Sequence, residues 1–178
     1  KVEEREERKR HLVVIQNEIG DFRSVIDWID KERVNKDDKY NGDGKYNEYQ
    51  ICYNPSPFKA IDDLGFWKKI DLLIMNEIES VDLLKLVNGG GDNGYGDKKL
   101  GVKEYEEIGD LLIGYINNRS DSLSCLIITL GPIGSIIYYK KDGERRRMFM
   151  ESIEIKKENV VDSTGAGDTF FGSVVSQL

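Results

Sequence analysis

Val160-Val161-Asp162-Ser163-Thr164-Gly165-Ala166-Gly167-Asp168-Thr169-Phe170-Phe171-Gly172 is the stretch on which the reading of this chain turns. A charged, β-prone run precedes it and a helix-compatible apolar run, Thr169 to Leu178, follows, so it reads as a loop opening into a helix. Gly165 and Gly167 leave the backbone free to bend tightly, and N–H groups in a helix's first turn lack intrahelical partners and can face an anion. That combination makes a phosphate cradle. A carboxylate within it, Asp168, would repel the anion unless it has a chemical task, and accepting a proton from an attacking hydroxyl is such a task. The structural alternative is that Asp162 or Asp168 caps the helix, a position that favours Asp.

Upstream, short runs rich in β-branched residues recur: His11 to Gln16, Tyr49 to Tyr53, Asp71 to Met75, Cys125 to Leu130 and Ser135 to Tyr139. Most are apolar throughout rather than alternating, as expected of strands covered on both faces of a parallel sheet. Between them, Asp21 to Lys31, Glu77 to Val87 and Val102 to Asn117 have helical spacing. Strand and helix alternate, so the expected class is α/β. The Gly131-Pro132-Ile133-Gly134 link is short enough for a hairpin, which predicts an antiparallel edge on a mixed sheet. Residues 34–48 and 88–99 are rich in Gly, Asn, Asp and Lys and are expected to be mobile, solvated insertions. Lys1 to Arg10 alternates charge signs and reads as a solvent-facing helix, and the Glu144-Arg145-Arg146-Arg147 cluster reads as a solvated strand or turn edge.

The chain has 178 residues, with 33 Asp and Glu against 26 Lys and Arg, for a formal net charge of -7. That balance argues against a nucleic-acid partner, which calls for a basic footprint. No apolar stretch approaches the roughly 20 residues of a spanning helix, and the charged opening is unlike a secretory signal, so no membrane partner is expected. Cys52 and Cys125 each lie in an apolar run, as suits buried free thiols, and the expected location is the cytoplasm. The glycines of Asn88 to Gly96 follow a helix rather than a strand and make no dinucleotide fingerprint, and Lys39 and Gln50 stand where a calcium loop needs carboxylates.

The Asp162 to Gly172 stretch closely resembles the C-terminal signature of the ribokinase-like (PfkB) carbohydrate kinases, D-T-x-G-A-G-D-x-F. Further landmarks of that family follow in order: Gln16-Asn17-Glu18-Ile19 is similar to its Q-L-E stretch, and Asn54-Pro55-Ser56-Pro57 to its N-P-A-P. Asn76-Glu77-Ile78-Glu79 matches N-x-x-E and Thr129-Leu130-Gly131 matches T-L-G. The resemblance implies a three-layer α/β sandwich, helices on both faces of a mostly parallel sheet. It also implies ATP-dependent phosphorylation of a primary sugar hydroxyl, with ribose as the first candidate and fructose or adenosine as alternatives. Asp168 would be the general base, and Gly165, Ala166 and Gly167 would offer N–H groups to the transferred phosphoryl. Asn76 and Glu79 would organise Mg²⁺ and phosphate through water, and Thr129 and Gly131 would line the nucleotide. Glu18 would accept from sugar hydroxyls, and Asp162 and Thr164 would hold a monovalent cation, K⁺.

The resemblance covers the chain from about His11 onward, apart from the two glycine- and lysine-rich insertions. The family's N-terminal half, with its Gly-Gly sugar motif and lid strands, has no counterpart here, nor does the segment that helps to hold adenine. The chain is therefore expected to be the nucleotide and catalytic half of a kinase domain, silent in catalysis alone, and a homodimer in full-length form. A non-catalytic nucleotide or sugar sensor is the alternative from another class, and Asp168 speaks against it because a sensor needs no base. A dinucleotide oxidoreductase is disfavoured, since the only cradle lies near the C-terminal end and carries an acid.

Overall fold

The computed structural model describes residues 9–18, 20–34, 47–90, 94–95, 99–117 and 123–178. They form a 6-stranded sheet in sequence order, β1 to β6. The order of elements is β1 (Lys9–Gln16), α1 (Phe22–Val34), β2 (Asn47–Asn54), α2 (Leu64–Trp67), β3 (Leu72–Asn76), α3 (Glu77–Val87), α4 (Val102–Asn117), β4 (Cys125–Thr129), β5 (Gly134–Lys141), β6 (Glu144–Glu151) and α5 (Ala166–Val175). Strands β1 to β4 pair parallel, and β5 and β6 add antiparallel to the β4 edge. The mixed sheet and the α/β class expected from the sequence are therefore present.

The apolar strands explain the layers. Alternate residues point to opposite faces, so Ile51, Tyr53, Leu73, Met75, Leu126, Ile128, Ile136 and Tyr138 enter the larger core. Helices α1, α3 and α4 cover that face with Ile26 and Ile29, Leu83 and Leu84, and Ile108, Leu112 and Ile116. Cys52, Leu72, Ile74 and Ile127 point the other way and meet Phe171, Phe170, Val174 and Val175 of α5. Helices thus lie on both faces, and α5 alone forms the third layer among the described residues. At the end of the sheet where β3 begins, the Arg33 guanidinium bonds Asp71 and the carbonyls of Tyr49 and Lys69, while Asp71 accepts from the Ile51 N–H at 2.7 Å.

Several boundaries differ from expectation. Lys9 and Arg10 open β1 rather than ending a helix, because pairing with Asn47 and Glu48 continues the ladder outward; positions 1–8 lie outside the described residues. Val34 ends α1, and Asn47 and Glu48 belong to β2, so of the first expected insertion only 35–46 remains, and it too lies outside the described residues. Of the second, Asn88 is the C-cap of α3, and positions 91–93 and 96–98 fall outside. The arginine cluster lies on β6, joined to β5 by an Asp142-Gly143 turn with both residues at positive φ, as a two-residue hairpin turn of that sequence favours.

Helix α4 approaches the sheet closely at Gly109. A Cβ there would sit 2.5 Å from Cε2 and 2.7 Å from Cζ of Tyr138, a buried ring whose hydroxyl donates to the Glu106 carbonyl. Gly114, on the same helix, has nothing within 4 Å of that position. Alanine gains about 1 kcal/mol over glycine in a helix interior, while overpacking costs about 1–3 kcal/mol and loosening the tyrosine hydrogen bond about 1 kcal/mol more. Gly109→Ala should therefore lower the urea midpoint and Gly114→Ala should raise it; equal shifts would contradict this packing.

Candidate active site

Each of the first four, parallel strands ends on a polar residue, Gln16, Asn54, Asn76 and Thr129, with β3 and β4 running two residues past the level at which β1 and β2 end. Gln16 is the register partner of Asn54 and Asn76 that of Thr129. In open α/β sheets this edge is where ligands bind. Phe171 anchors α5 on the sheet so that its first turn lies at the same edge. A cleft of about 60 Å³ results, lined by Asn54, Ser56, Ile74, Met75, Asn76, Glu79, Thr129, Gly167, Asp168 and Phe170. At some 10–15 Å³ per water, it has room for a few water molecules or a phosphoryl oxygen cluster, not for a whole nucleotide.

Asn76 and Glu79 form a reciprocal cap on α3. The Asn76 Oδ1 accepts from the Glu79 N–H at 2.9 Å, and the Glu79 Oε2 accepts from the Asn76 N–H at 2.9 Å. Asn76 is thus the N-cap of α3, and this role still leaves its Nδ2 without a partner among the described residues. Glu79 is 5% exposed. Burial pushes its carboxyl above the ordinary value, against the pull of the Asn76 N–H and the Ser56 hydroxyl. Glu79 therefore holds a proton more readily than a free carboxylate, and a cation in the cleft would oppose that. Among the described residues no three His, Cys, Asp or Glu side chains gather as a metal cage. One carboxylate beside a water-sized cleft fits Mg²⁺, which keeps much of its hydration and relies on substrate phosphates.

The first turn of α5 begins at Gly165, whose φ of 76° is the left-handed conformation that glycine adopts without strain. The Ala166 N–H donates to the Ser163 carbonyl at 3.1 Å, closing the turn. The N–H groups of Gly165, Gly167 and Asp168 have no acceptor among the described residues. The open donors of the cradle are thus Gly165, Gly167 and Asp168, with Ala166 engaged in the turn. Asp162 accepts at Oδ1 from both the Thr164 N–H, at 2.9 Å, and the Thr164 hydroxyl, at 2.8 Å, and these bonds hold its carboxyl below the usual value. Asp162 therefore shapes the loop, whereas Asp168 does not cap: its Oδ1 accepts from Gln16 Nε2 at 3.0 Å.

The structure brings Asn76, Glu79, Thr129, Gly167 and Asp168 together around the cleft. Gly165 and Ala166 adjoin it through the same helical turn. Glu18 lies exposed in the turn after β1, and Gly131 starts an exposed 3₁₀ turn after β4, both outside the lining. Asp162 and Thr164 are exposed in the loop before α5. Several participants went unassigned in the sequence. Asn54 and Ser56 form one wall. Asn17, fully buried, clamps that wall through Nδ2 bonds to the carbonyls of Pro55 at 3.0 Å and Pro57 at 2.9 Å, and through its own N–H to Ser56 at 3.2 Å.

Comparison with known proteins agrees with this geometry. The sequence profile of the pfkB family carbohydrate kinases matches residues 54–178. The chain is 33% identical over 116 residues to a ribokinase of Dictyostelium discoideum, covering 65% of this chain and 33% of that protein. It is 31% identical over 129 residues to a ribokinase of Lactococcus lactis, covering 72% of this chain and 32% of that protein. It thus spans about a third of the length of the curated relatives it matches. Among solved structures, a ribokinase from Cryptococcus neoformans in complex with ADP superposes with a TM-score of 0.65 at 26% identity, over 92% of this chain and 47% of that one. A ribokinase from Giardia lamblia shares the fold, with a TM-score of 0.62 at 23% identity, over 92% of this chain and 42% of that one. Fold, strand-end cleft and family profile lead to one conclusion: the chain belongs to the pfkB family of carbohydrate kinases.

Proposed function

We propose that this chain is the nucleotide and base-bearing half of an ATP-dependent carbohydrate kinase that phosphorylates a primary hydroxyl, with ribose as the first substrate. The observation that carries the reading is the placement of the Asp168 carboxylate in the same helical turn as open N–H donors, opposite Glu79 across one cleft. The ribokinase relatives support the choice of substrate.

Asp168 takes the proton of the sugar hydroxyl as that oxygen attacks the γ-phosphorus of ATP, and ADP leaves with the electrons of the broken P–O bond. The N–H groups of Gly165, Gly167 and Asp168 donate to charge that develops on the phosphoryl oxygens, where fixed dipoles need no reorganisation. Asn76 donates from Nδ2 and Thr129 offers its hydroxyl to the phosphate chain. Glu79 would hold Mg²⁺, which when bound would neutralise phosphate charge. Gly131 backs the nucleotide beyond Thr129. Glu18, with its carboxylate open at the same strand-end edge, accepts from hydroxyls of the sugar. Asp162 and Thr164 would hold K⁺ through oxygens other than the Oδ1 already engaged. The described helices include none long and apolar enough to cross a membrane, which is compatible with a cytoplasmic enzyme.

In the complete gene product, Asp168→Asn should retain ATP affinity and lose phosphorylation by about 10²–10⁴-fold, the contribution of a positioned base; near-wild-type turnover would remove Asp168 from that role. Glu79→Gln keeps the helix cap, because Gln also serves at that position, so its effect isolates the ion. Its Mg²⁺ titration should shift to higher concentration, and an unchanged curve would place the ion elsewhere. Replacing K⁺ by a bulky organic cation should lower turnover if Asp162 and Thr164 bind it, and indifference would reject that site.

A further inference from the structure

Gln16 and Asp168 are 152 residues apart in sequence, yet the Gln16 Nε2 donates to the Asp168 Oδ1 at 3.0 Å. The second N–H of the same amide reaches the Asn54 Oδ1 at 3.2 Å. The direction of these bonds is fixed by the main chain. The Ile74 carbonyl can only accept, so the Asn54 amide must turn Nδ2 toward it, at 3.0 Å. The Ser56 N–H can only donate, so Asn54 must turn Oδ1 toward it, at 3.3 Å. With Oδ1 placed, Gln16 can meet Asn54 only through Nε2, and its remaining N–H is then aimed at Asp168. An amide relay thus runs from the backbone of β3, through the last residue of β2, to the last residue of β1, and ends on the carboxylate. Asp168 Oδ2 has no partner among the described residues.

We propose that Gln16 is a positioning residue for the base: it fixes Oδ1 of Asp168 so that Oδ2 faces the hydroxyl to be deprotonated. This inference rests on the reading of Asp168 as the base. A freely rotating carboxylate would divide its time among orientations, and misplacement by about 1 Å costs on the order of 10²-fold in rate. The relay acts only on the reacting group, so it alters turnover rather than nucleotide binding.

Steady-state kinetics of the complete gene product with ATP and ribose test this with Gln16→Met and Gln16→Ala. Methionine keeps the length of the side chain and removes the donor without adding a charge beside Asp168, whereas alanine removes both. Both variants should lose about 10- to 100-fold in kcat with KM for ATP within about twofold of wild type, and Gln16→Ala should add no further loss on top of Asp168→Asn. If Gln16 only fills space, Gln16→Met will turn over like wild type while Gln16→Ala falls, and that overturns the proposal. So does a further drop in the double variant equal to that in the single one. A wild type that makes no sugar phosphate overturns the functional reading and the role of Gln16 with it. An active wild type with an inactive Asp168→Asn and an unaffected Gln16→Met overturns the role of Gln16 alone.

Discussion

The register of the parallel strands is the constraint on which the rest of the molecule depends. Strands β2, β3 and β4 bury side chains on both faces, and a slip of one residue would exchange the side chains that face α1, α3 and α4 with those that face α5. Tyr53, Leu73, Met75, Leu126 and Ile128 fix that register from the larger core, and Cys52, Leu72, Ile74 and Ile127 fix it from the smaller one. Because the register is fixed, Gln16 ends level with Asn54 and Asn76 with Thr129 two residues farther on, and the four form a stepped row along one edge. Burial of Phe171 against the same sheet then sets the first turn of α5 over that row. The polar site is a consequence of apolar packing elsewhere.

At this edge, residues that recognise phosphate also hold the backbone. Asn76 and Glu79 satisfy each other's main-chain N–H groups, a bond pattern worth about 1 kcal/mol to the helix, while the Asn76 Nδ2 remains for a ligand. Asp162 is tied to Thr164 and shapes the loop that presents Gly165. Asp168 differs from both, since its bond is to a side chain on a distant strand and its own helix draws nothing from it. A capping residue is replaceable by any good cap. A carboxylate held by a relay that starts at the main chain of β3 is not.

Much of the fold was legible because continuous apolar runs announce strands buried on both faces, and the helical stretches between them carry a clear period. Charge misled at the ends: Lys9 and Arg10 look helical beside acidic neighbours, yet ladder pairing with β2 outweighs local preference at an exposed strand start. In the site, Asp168, Glu79 and the glycines stood out because carboxylates and turn residues carry chemistry in their spacing. Gln16, Asn17 and Asn54 lie in the stretches similar to Q-L-E and N-P-A-P but received no role, because a neutral amide at a strand end carries no chemistry in its spacing. Their meaning comes from neighbours 38 and 152 residues away. That β1 and β2 both end on an amide within those motifs becomes informative only once their register is known.

The central claim, that this strand-end cleft transfers a phosphoryl group to a sugar, is tested most directly by incubating the complete gene product with γ-labelled ATP, Mg²⁺ and a panel of pentoses, hexoses and nucleosides, and locating the label by NMR. The account predicts a sugar monophosphate carrying the label on the primary hydroxyl, with ribose the best acceptor. Hydrolysis of ATP to free phosphate without any labelled acceptor across the panel, or no turnover at all, would contradict it.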